Sequence, residues 1–319
     1  MTEVSIVKGD VPYDLASKTF DLIHVDELIQ KGDTVLIKPN LADVRRNLPR
    51  RGDQTSREAI EAVVRAVREN TEAGQVIIAE GSATPTWESF LQWRLLELAE
   101  KYRVRLIDLN NDEAYKVWVK NGFVLKRVWT PRTMQKADVV ISLPVLKVWS
   151  ALAVSMNIKN IAGGCLPRFY YGMGLPCGLA ELMRKRNPVF NPEEMYGQRK
   201  TLSAVCVDVC LATPVHIAVI DALTVMHMVT PLRQFTFTPD SVQVDELNLF
   251  IGGTDMVAVD AVGSAVMGFN PEKIVHLNMA AEKGLGTNRL EVITIIGKPI
   301  EEVRRNCNPI FGMQEILQS

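Results

Sequence analysis

Short runs of β-branched and aliphatic residues alternate along the chain with longer amphipathic segments, and this alternation limits the possible folds more than any other feature. The runs 34–38 (TVLIK), 75–79 (QVIIA) and 138–143 (DVVISL) are predicted to be buried strands. Segments 55–72 and 87–102 carry apolar residues at the spacing of one helix face. This order predicts an α/β fold with mostly parallel sheets and helices on both faces.

The organisation of the chain predicts three regions. These are an N-terminal α/β lobe at 1–150, a loop or lid at 151–200 and a C-terminal α/β lobe at 201–319, with the two lobes enclosing a cleft. The periodicity is lost from 165 to 200, where aromatic residues, glycines and prolines are mixed. A long loop in a compact domain is typical of a lid or binding loop, and a contact between subunits of a homo-oligomer is the alternative.

The composition argues against several classes of protein. Of the 319 residues 47% are hydrophobic and 23% charged, as in ordinary globular proteins, and the net charge of −1 provides no field to attract nucleic acid or a membrane. No apolar run has the length of a membrane span, and the first residues lack the apolar core of a signal peptide. Five cysteines without a CxxC pair make a disulfide framework unexpected, so a cytoplasmic location is predicted.

Lysines occur inside two otherwise apolar segments. Lys147 and Lys159 lie in ISLPVLKVWSALAVSMNIKNIAGG, where Asn160 and two glycines follow the second lysine, and Lys38 and Asn40 lie in TVLIKPNLAD. A buried ammonium group is costly unless it meets an anion or several acceptors. Exposure of the amines with packed stems is the alternative for each lysine, but their repetition beside asparagine favours a site.

In a parallel sheet, ligands gather at the carboxyl ends of the strands. The sequence places a set of polar and strand-end residues at that edge: Lys38, Asn40, Glu80, Ser82, Asp108, Leu143, Pro144 and Asp221. An asparagine next to a lysine can share an oxyanion by hydrogen bonding. Substrate binding is therefore assigned to five residues: Lys38, Asn40, Lys159, Asn160 and Arg233. Lys147 or His227 is the candidate for proton transfer, and Asp221 with Asp255 would orient these groups or bind a divalent metal.

The cysteines and glycines give weaker signals. Cys206 and Cys210 are one helical turn apart and could ligate a metal, with Cys165 or Cys177 as further ligands, but their apolar context favours buried structural cysteines. An iron–sulfur cluster is therefore not expected. A GLG triplet at 284–286 lacks the remainder of a dinucleotide fingerprint, so no nucleotide cofactor is predicted.

Several motifs resemble those of the domain-of-unknown-function family 362. They are LIKPNL, ADVVISLPVLKVW, SMNIKNIAGG and FIGGTDMVAVDA, within a resemblance that extends from about Lys38 to about Gly286. The matched motif positions include Lys38, Asn40, Lys147, Lys159, Asn160, Asp221, Asp255 and Asp260. The resemblance implies an α/β fold with two lobes in a cytoplasmic prokaryotic protein. Many members carry a ferredoxin-like cysteine segment, which this sequence lacks, so electron transfer is not carried over.

These observations together predict an enzyme that acts on a small anionic metabolite with a carboxylate group. Proton abstraction next to that carboxylate would suit a lysine-rich site, and a lyase, an isomerase and a cofactor-independent oxidative reaction all remain open. The alternatives are a metal-binding or iron–sulfur redox protein and a non-catalytic ligand-binding protein. No nucleic-acid or membrane partner is expected.

Overall fold

A computed structural model describes residues 2–41, 50–149, 152–164, 192–229, 241–309 and 313–317 of the chain. The strands are β1 (Thr2–Lys8), β2 (Thr34–Pro39), β3 (Gln75–Glu80), β4 (Arg105–Asp108), β5 (Ala114–Trp118), β6 (Arg127–Pro131), β7 (Val139–Leu143), β8 (Val145–Trp149), β9 (Ala153–Ser155), β10 (Ile217–Met228), β11 (Val242–Gly253) and β12 (Ile293–Gly297). The helices are α1 (Pro12–Leu22), α2 (Val25–Leu28), α3 (Arg50–Asp53), α4 (Arg57–Asn70), α5 (Thr86–Gln92), α6 (Leu95–Tyr102), α7 (Arg132–Lys136), α8 (Asn157–Gly164), α9 (Pro192–Ala212), α10 (Met256–Val266), α11 (Val275–Glu282) and α12 (Ile300–Val303).

A ten-stranded, mostly parallel sheet forms the centre of the fold, which confirms the predicted α/β class. Its main strand order is β12-β1-β11-β10-β7-β2-β3-β4, with β8 and β9 attached beside β10. β10 pairs in parallel with β7, with Ile217 opposite Ile141. Strands from both predicted lobes therefore belong to one sheet, while the boundaries at 150 and 200 stay predictions.

Two hydrophobic clusters cover the two faces of this sheet. Val35, Leu36 and Ile37 of β2 are all fully buried, as expected for a parallel strand with helices on both sides. Alternation along the strand sends Leu36 into the cluster that includes residues of α8 and α10, whereas Val35 and Ile37 enter the cluster of α1 and α4.

The periodicity of the sequence predicts where helices occur more accurately than it predicts the residues at which they begin and end. The segment predicted at 55–72 is α4, which begins after Ser56, whose Oγ accepts a hydrogen bond from the Ala59 amide at 3.1 Å. The predicted helix at 87–102 is two helices, because Arg94 adopts a left-handed φ of 53° between them. The helix α9 begins at Pro192, inside the segment 151–200 that was predicted as a loop or lid, and residues 165–191 lie outside the described residues. No helix in the described part of the chain is long and apolar enough to cross a membrane.

A buried carboxylate anchors the start of α8. Asp260 of α10 accepts hydrogen bonds from the Asn157 amide at 2.9 Å, the Asn157 Nδ2 at 2.8 Å and the Ile158 amide at 3.0 Å. These amides would otherwise be unsatisfied at a helix N-terminus. Burial raises the pKa of Asp260 to about 7, although the three donors oppose the shift.

This raised pKa predicts a pH-dependent contribution to stability. Because the folded-state pKa exceeds that of an unperturbed aspartate, the contribution is complete in acid and is lost as the pH rises through about 7. Between pH 5 and 8 the free energy of unfolding should fall by about 2 to 3 kcal/mol more in the wild type than in Asp260→Asn. Urea denaturation of both proteins across this range measures the difference, and parallel pH profiles would contradict it.

Candidate functional site

The order of the sheet strands reverses between β2 and β7. From β2 the chain continues to β3 and β4 on one side, whereas β7 and β10 lie on the other side. Lys38 and Ser142 are register partners at this point, and both strands end one residue later, at Pro39 and Leu143. In open α/β sheets, ligands bind outside the carboxyl ends of the strands at such a switch point.

The Lys38 ammonium is enclosed at this position. The residue is 1% exposed, and its Nζ donates to Glu80 Oε1 at 2.7 Å, to Asn160 Oδ1 at 3.0 Å and to the Pro39 carbonyl oxygen at 3.0 Å. A lysine has three donors, so all of them are engaged. Its charge is paired with Glu80 in this structure, and the expectation that Lys38 holds a substrate anion stays a prediction.

Asn160 links α8 to this ion pair. Its Oδ1 accepts from Lys38, while its Nδ2 donates to the Lys38 carbonyl oxygen at 3.0 Å and to Ser142 Oγ at 3.1 Å. Lys38 and Asn160 were predicted to act together, and the structure brings them into contact. Their contacts fix α8 against β2 and β7.

The end of α8 approaches the ion pair closely. A Cβ atom at Gly164 would overlap Glu80 Oε1 and Lys38 Nζ, and a Cβ at Gly81 would lie 2.6 Å from the Gly164 carbonyl oxygen. Only residues without a side chain allow this backbone contact.

Lys147 forms a second buried ion pair, with a partner that the sequence did not indicate. Lys147 is 3% exposed, and its Nζ donates to Asp53 Oδ1 at 3.1 Å, to the Asp53 carbonyl oxygen and to Asn40 Oδ1 at 3.4 Å. The Nζ also lies 5.2 Å from the centre of the Trp149 ring, within the range of a cation–π contact. Asp53 belongs to no periodic pattern of the sequence, so only the three-dimensional contact identifies it.

Thr55 connects the two ion pairs through Asn40. The Thr55 Oγ1 accepts from the Asn40 amide at 2.8 Å and donates to the Leu143 carbonyl oxygen at 2.7 Å. Leu41, next to Asn40, donates its amide to Glu80 Oε2 at 2.6 Å. Asn40 and Leu41, directly after β2, therefore contact Lys147 and Glu80, and Thr55 links Asn40 to β7.

Lys159 is half-buried on α8, next to Asn160. A Cβ at Gly163 would lie 2.9 Å from its Nζ, so the side chain folds along the end of its own helix. Its positive charge also acts on Cys206 of α9: burial raises the pKa of that thiol to about 11, and Lys159 opposes the shift.

His227 does not face Lys147, and the expectation that one of the two transfers a proton stays a prediction. Lys147 is the register partner of Met226 on β10, so His227 points to the other face of the sheet. Its Nε2 lies 3.2 Å from Asp245 Oδ2, and its Nδ1 accepts from the Asn308 amide at 3.4 Å. Arg233 lies outside the described residues.

Asp221 and Asp255 are not brought together as metal ligands. Asp221 Oδ2 accepts from the Ser56 amide at 2.8 Å and its Oδ1 from the Leu223 amide at 3.1 Å. Asp255 accepts from the Val257 and Ala258 amides of α10, both at 2.9 Å. In the pairing of β10 with β11, Asp221 lies opposite Phe250 and Ala218 lies opposite Gly253. Asp255 comes two residues after Gly253, so the two aspartates lie at different positions along the strands. Burial raises the pKa of each carboxyl group. Within the described ranges, no group of three or more His, Cys, Asp or Glu side chains could hold a metal ion.

Cys206 and Cys210 are buried, as their apolar context predicted, and all the described cysteines are free thiols. Cys206, Cys210 and Cys307 have this state, and burial raises the pKa of Cys307 to about 12. A metal ligand must be a thiolate, so these environments disfavour ligation by Cys206 and Cys307. Cys165 and Cys177 lie outside the described residues.

The contact at Gly164 makes a specific prediction about stability. Gly164→Ala should destabilise the protein by about 2 to 3 kcal/mol, because the new methyl group meets the two buried charges. Gly163→Ala is the matched control, since its Cβ meets only the flexible end of Lys159. Thermal and denaturant unfolding of both variants measure the difference, and equal effects at the two positions would count against the contact.

Comparison with known proteins identifies a family and a structural likeness. No curated protein matches the sequence. The lactate racemase apoprotein from Thermoanaerobacterium thermosaccharolyticum is similar in structure, with a TM-score of 0.48 and 14% sequence identity, over 84% of this chain and 57% of that chain. The chain thus spans less than two thirds of the length of that protein.

The family comparison covers most of the sheet and the site. A family model described as a domain of unknown function, DUF362, matches residues 35–265, which include Lys38, Asp53, Lys147 and Asn160. The match extends over more than half of the sequence, and the chain therefore belongs to the DUF362 family.

Proposed function

We propose that this protein is an enzyme that acts on a small metabolite bearing a carboxylate. The observation that carries the proposal is the pair of buried lysine–carboxylate contacts, Lys38–Glu80 and Lys147–Asp53, at the switch point of the sheet. Buried ion pairs are costly, and replacing them with apolar residues is often neutral or stabilising. Their occurrence at the edge where ligands bind favours a role in function.

Lys147 is the proposed proton-transfer residue, and Asp53 its partner. Asp53 Oδ1 lies 3.1 Å from Lys147 Nζ, close enough to take a proton from it. In the proposed step the neutral amine of Lys147 takes the proton next to the substrate carboxylate. His227 is omitted from this role because it faces the other side of the sheet.

Asn40 and Lys159 are the proposed contacts of the substrate anion. Asn40 is partly exposed and its Oδ1 already reaches Lys147, while Lys159 is the half-buried lysine of α8. Lys38 and Asn160 would hold β2, β7 and α8 in place without contacting the substrate. Removal of a proton beside a carboxylate is the common first step of isomerase, lyase and cofactor-independent oxidative reactions, and the proposal is limited to that step.

The exchange of this proton with solvent tests the proposal. The protein is incubated in D₂O with individual small carboxylates, including 2-hydroxy, 2-oxo and dicarboxylic acids, and loss of the signal of the proton next to the carboxylate is followed by ¹H NMR. At least one compound should exchange, and Lys147→Met should slow its exchange by about 10²-fold or more, the usual contribution of a general base.

Lys31→Met is the matched control, because it removes the same charge from an exposed turn before β2, at the opposite end of that strand from Lys38. It should exchange at the wild-type rate. Thermal stabilisation by a carboxylate without any exchange would instead indicate a ligand-binding protein. Stoichiometric iron in anaerobically purified protein would indicate the redox alternative. Exchange that is equal in Lys147→Met and wild type would exclude the assigned role.

A further inference from the structure

A cleft opens at the carboxyl edge of the sheet, beside the start of α4. Its volume is about 560 Å³, within the range of small-molecule sites. The segment 53–57 separates this cleft from Lys147: Asp53 contacts the lysine, whereas Ser56 and Arg57 line the cleft. It is therefore a different space from the site of the proposed function.

Irregular backbone from three elements converges on this cleft. Leu223 of β10 faces two residues of β11, Leu247 and Asn248, because the pairing shifts between Ala222 and Thr224. Asn248 adopts a left-handed φ of 55° and Arg94 one of 53°, and Leu223, Asn248 and Arg94 all line the cleft. Non-glycine residues in this conformation cost free energy, and bulges often redirect side chains beside binding sites.

Hydrogen bonds to buried groups hold the lining residues of the cleft in place. Trp93 is 6% exposed, and its Nε1 donates to the Thr55 carbonyl oxygen at 2.8 Å. The amides of Ser56 and Leu223 both donate to the Asp221 carboxylate, at 2.8 and 3.1 Å. Asp221, predicted as a catalytic or metal-binding residue, thus supports the floor of this cleft.

The charged groups that line the cleft carry both signs. Arg57 and Arg94 are positive, and Asp10 and Glu58 are negative. Arg57 and Arg94 form ion pairs with Glu61 and Glu97 on their own helical segments, with side chains 34% and 68% exposed. Such exposed pairs are weak and exchange readily for another carboxylate. The Nε of Arg57 is also buried with no hydrogen-bond partner among the described residues, so an acceptor that reorients the guanidinium would satisfy it.

We infer that this cleft binds a small zwitterion of the α-amino-acid type. The ligand carboxylate would contact Arg57 and Arg94, and its ammonium group would contact Asp10 and Glu58. Pro12, Trp93 and Leu223 supply apolar surface for the rest of the molecule. An anion alone would not use the two carboxylates of the cleft, and a cation alone would not use its two arginines.

The test uses the full chain and the twenty standard amino acids as probes. Saturation-transfer NMR identifies those that bind, and calorimetric titration measures the affinity of the strongest, which should have a Kd below about 1 mM. Acetylation of the amino group, or methyl esterification of the carboxylate, should weaken binding by about tenfold or more, since each removes one charge-assisted contact.

Variants distinguish this cleft from the lysine site. Asp10→Asn should weaken binding about tenfold. Asp26→Asn, an exposed aspartate at the start of α2, should leave it unchanged. Lys147→Met should bind with wild-type affinity even if it abolishes proton exchange, so the two proposals can fail separately. The inference is overturned if no amino acid binds at about 10 mM, if Asp10→Asn and acetylation have no effect, or if Lys147→Met abolishes binding.

Discussion

The buried contact between Lys38 and Glu80 is the interaction on which the arrangement of the site depends. The two groups come from neighbouring strands and are almost completely removed from water. Removing either partner would leave a buried charge uncompensated, at a cost of about 3 to 5 kcal/mol. Every donor of the ammonium group is used, and the Glu80 carboxylate accepts two further amides, from Leu41 and Gly81. The pair therefore joins β2, β3, α8 and the segment after β2 at one point.

The position of the Lys147–Asp53 pair depends on that of the Lys38–Glu80 pair. Leu41 is held by Glu80 and Asn40 by Thr55, so the segment after β2 has a fixed path past the end of β7. That path places the side-chain oxygen of Asn40 beside Lys147. Thr55, which holds Asn40, is two residues from Asp53 in sequence. The edge of the sheet is therefore organised by polar contacts beside a mostly apolar core. Glycine at 164 is required because α8 must approach these charges without a side chain between them.

The sequence predicted the elements well and their contacts only in part. Buried strands and α4 follow from local periodicity, and a lysine at the end of an apolar strand points to a buried charge. The partner of Lys147 could not be predicted, because Asp53 is 94 residues away in sequence and lies in no periodic segment. The short distance in sequence between His227 and Asp221 does not bring their side chains to one site. Both residues belong to the extended strand β10, in which six residues span roughly 20 Å, and strand alternation directs His227 away from Lys147.

The acidic residues show why an aspartate in an apolar context cannot be assigned to a metal from sequence. Asp255 and Asp260 accept backbone amides at the first turns of α10 and α8, and Asp221 accepts the amide of the residue that caps α4. A helix N-terminus presents unsatisfied amides with a partial positive charge, so a carboxylate serves it as it would serve a cation. Both roles require an acid surrounded by apolar residues, and the sequence pattern is the same. The distinction depends on which helix begins beside the carboxylate, and that is decided by packing between distant parts of the chain. In this protein the three aspartates hold the helices that frame the edge of the sheet, which leaves the chemistry proposed here to the lysines.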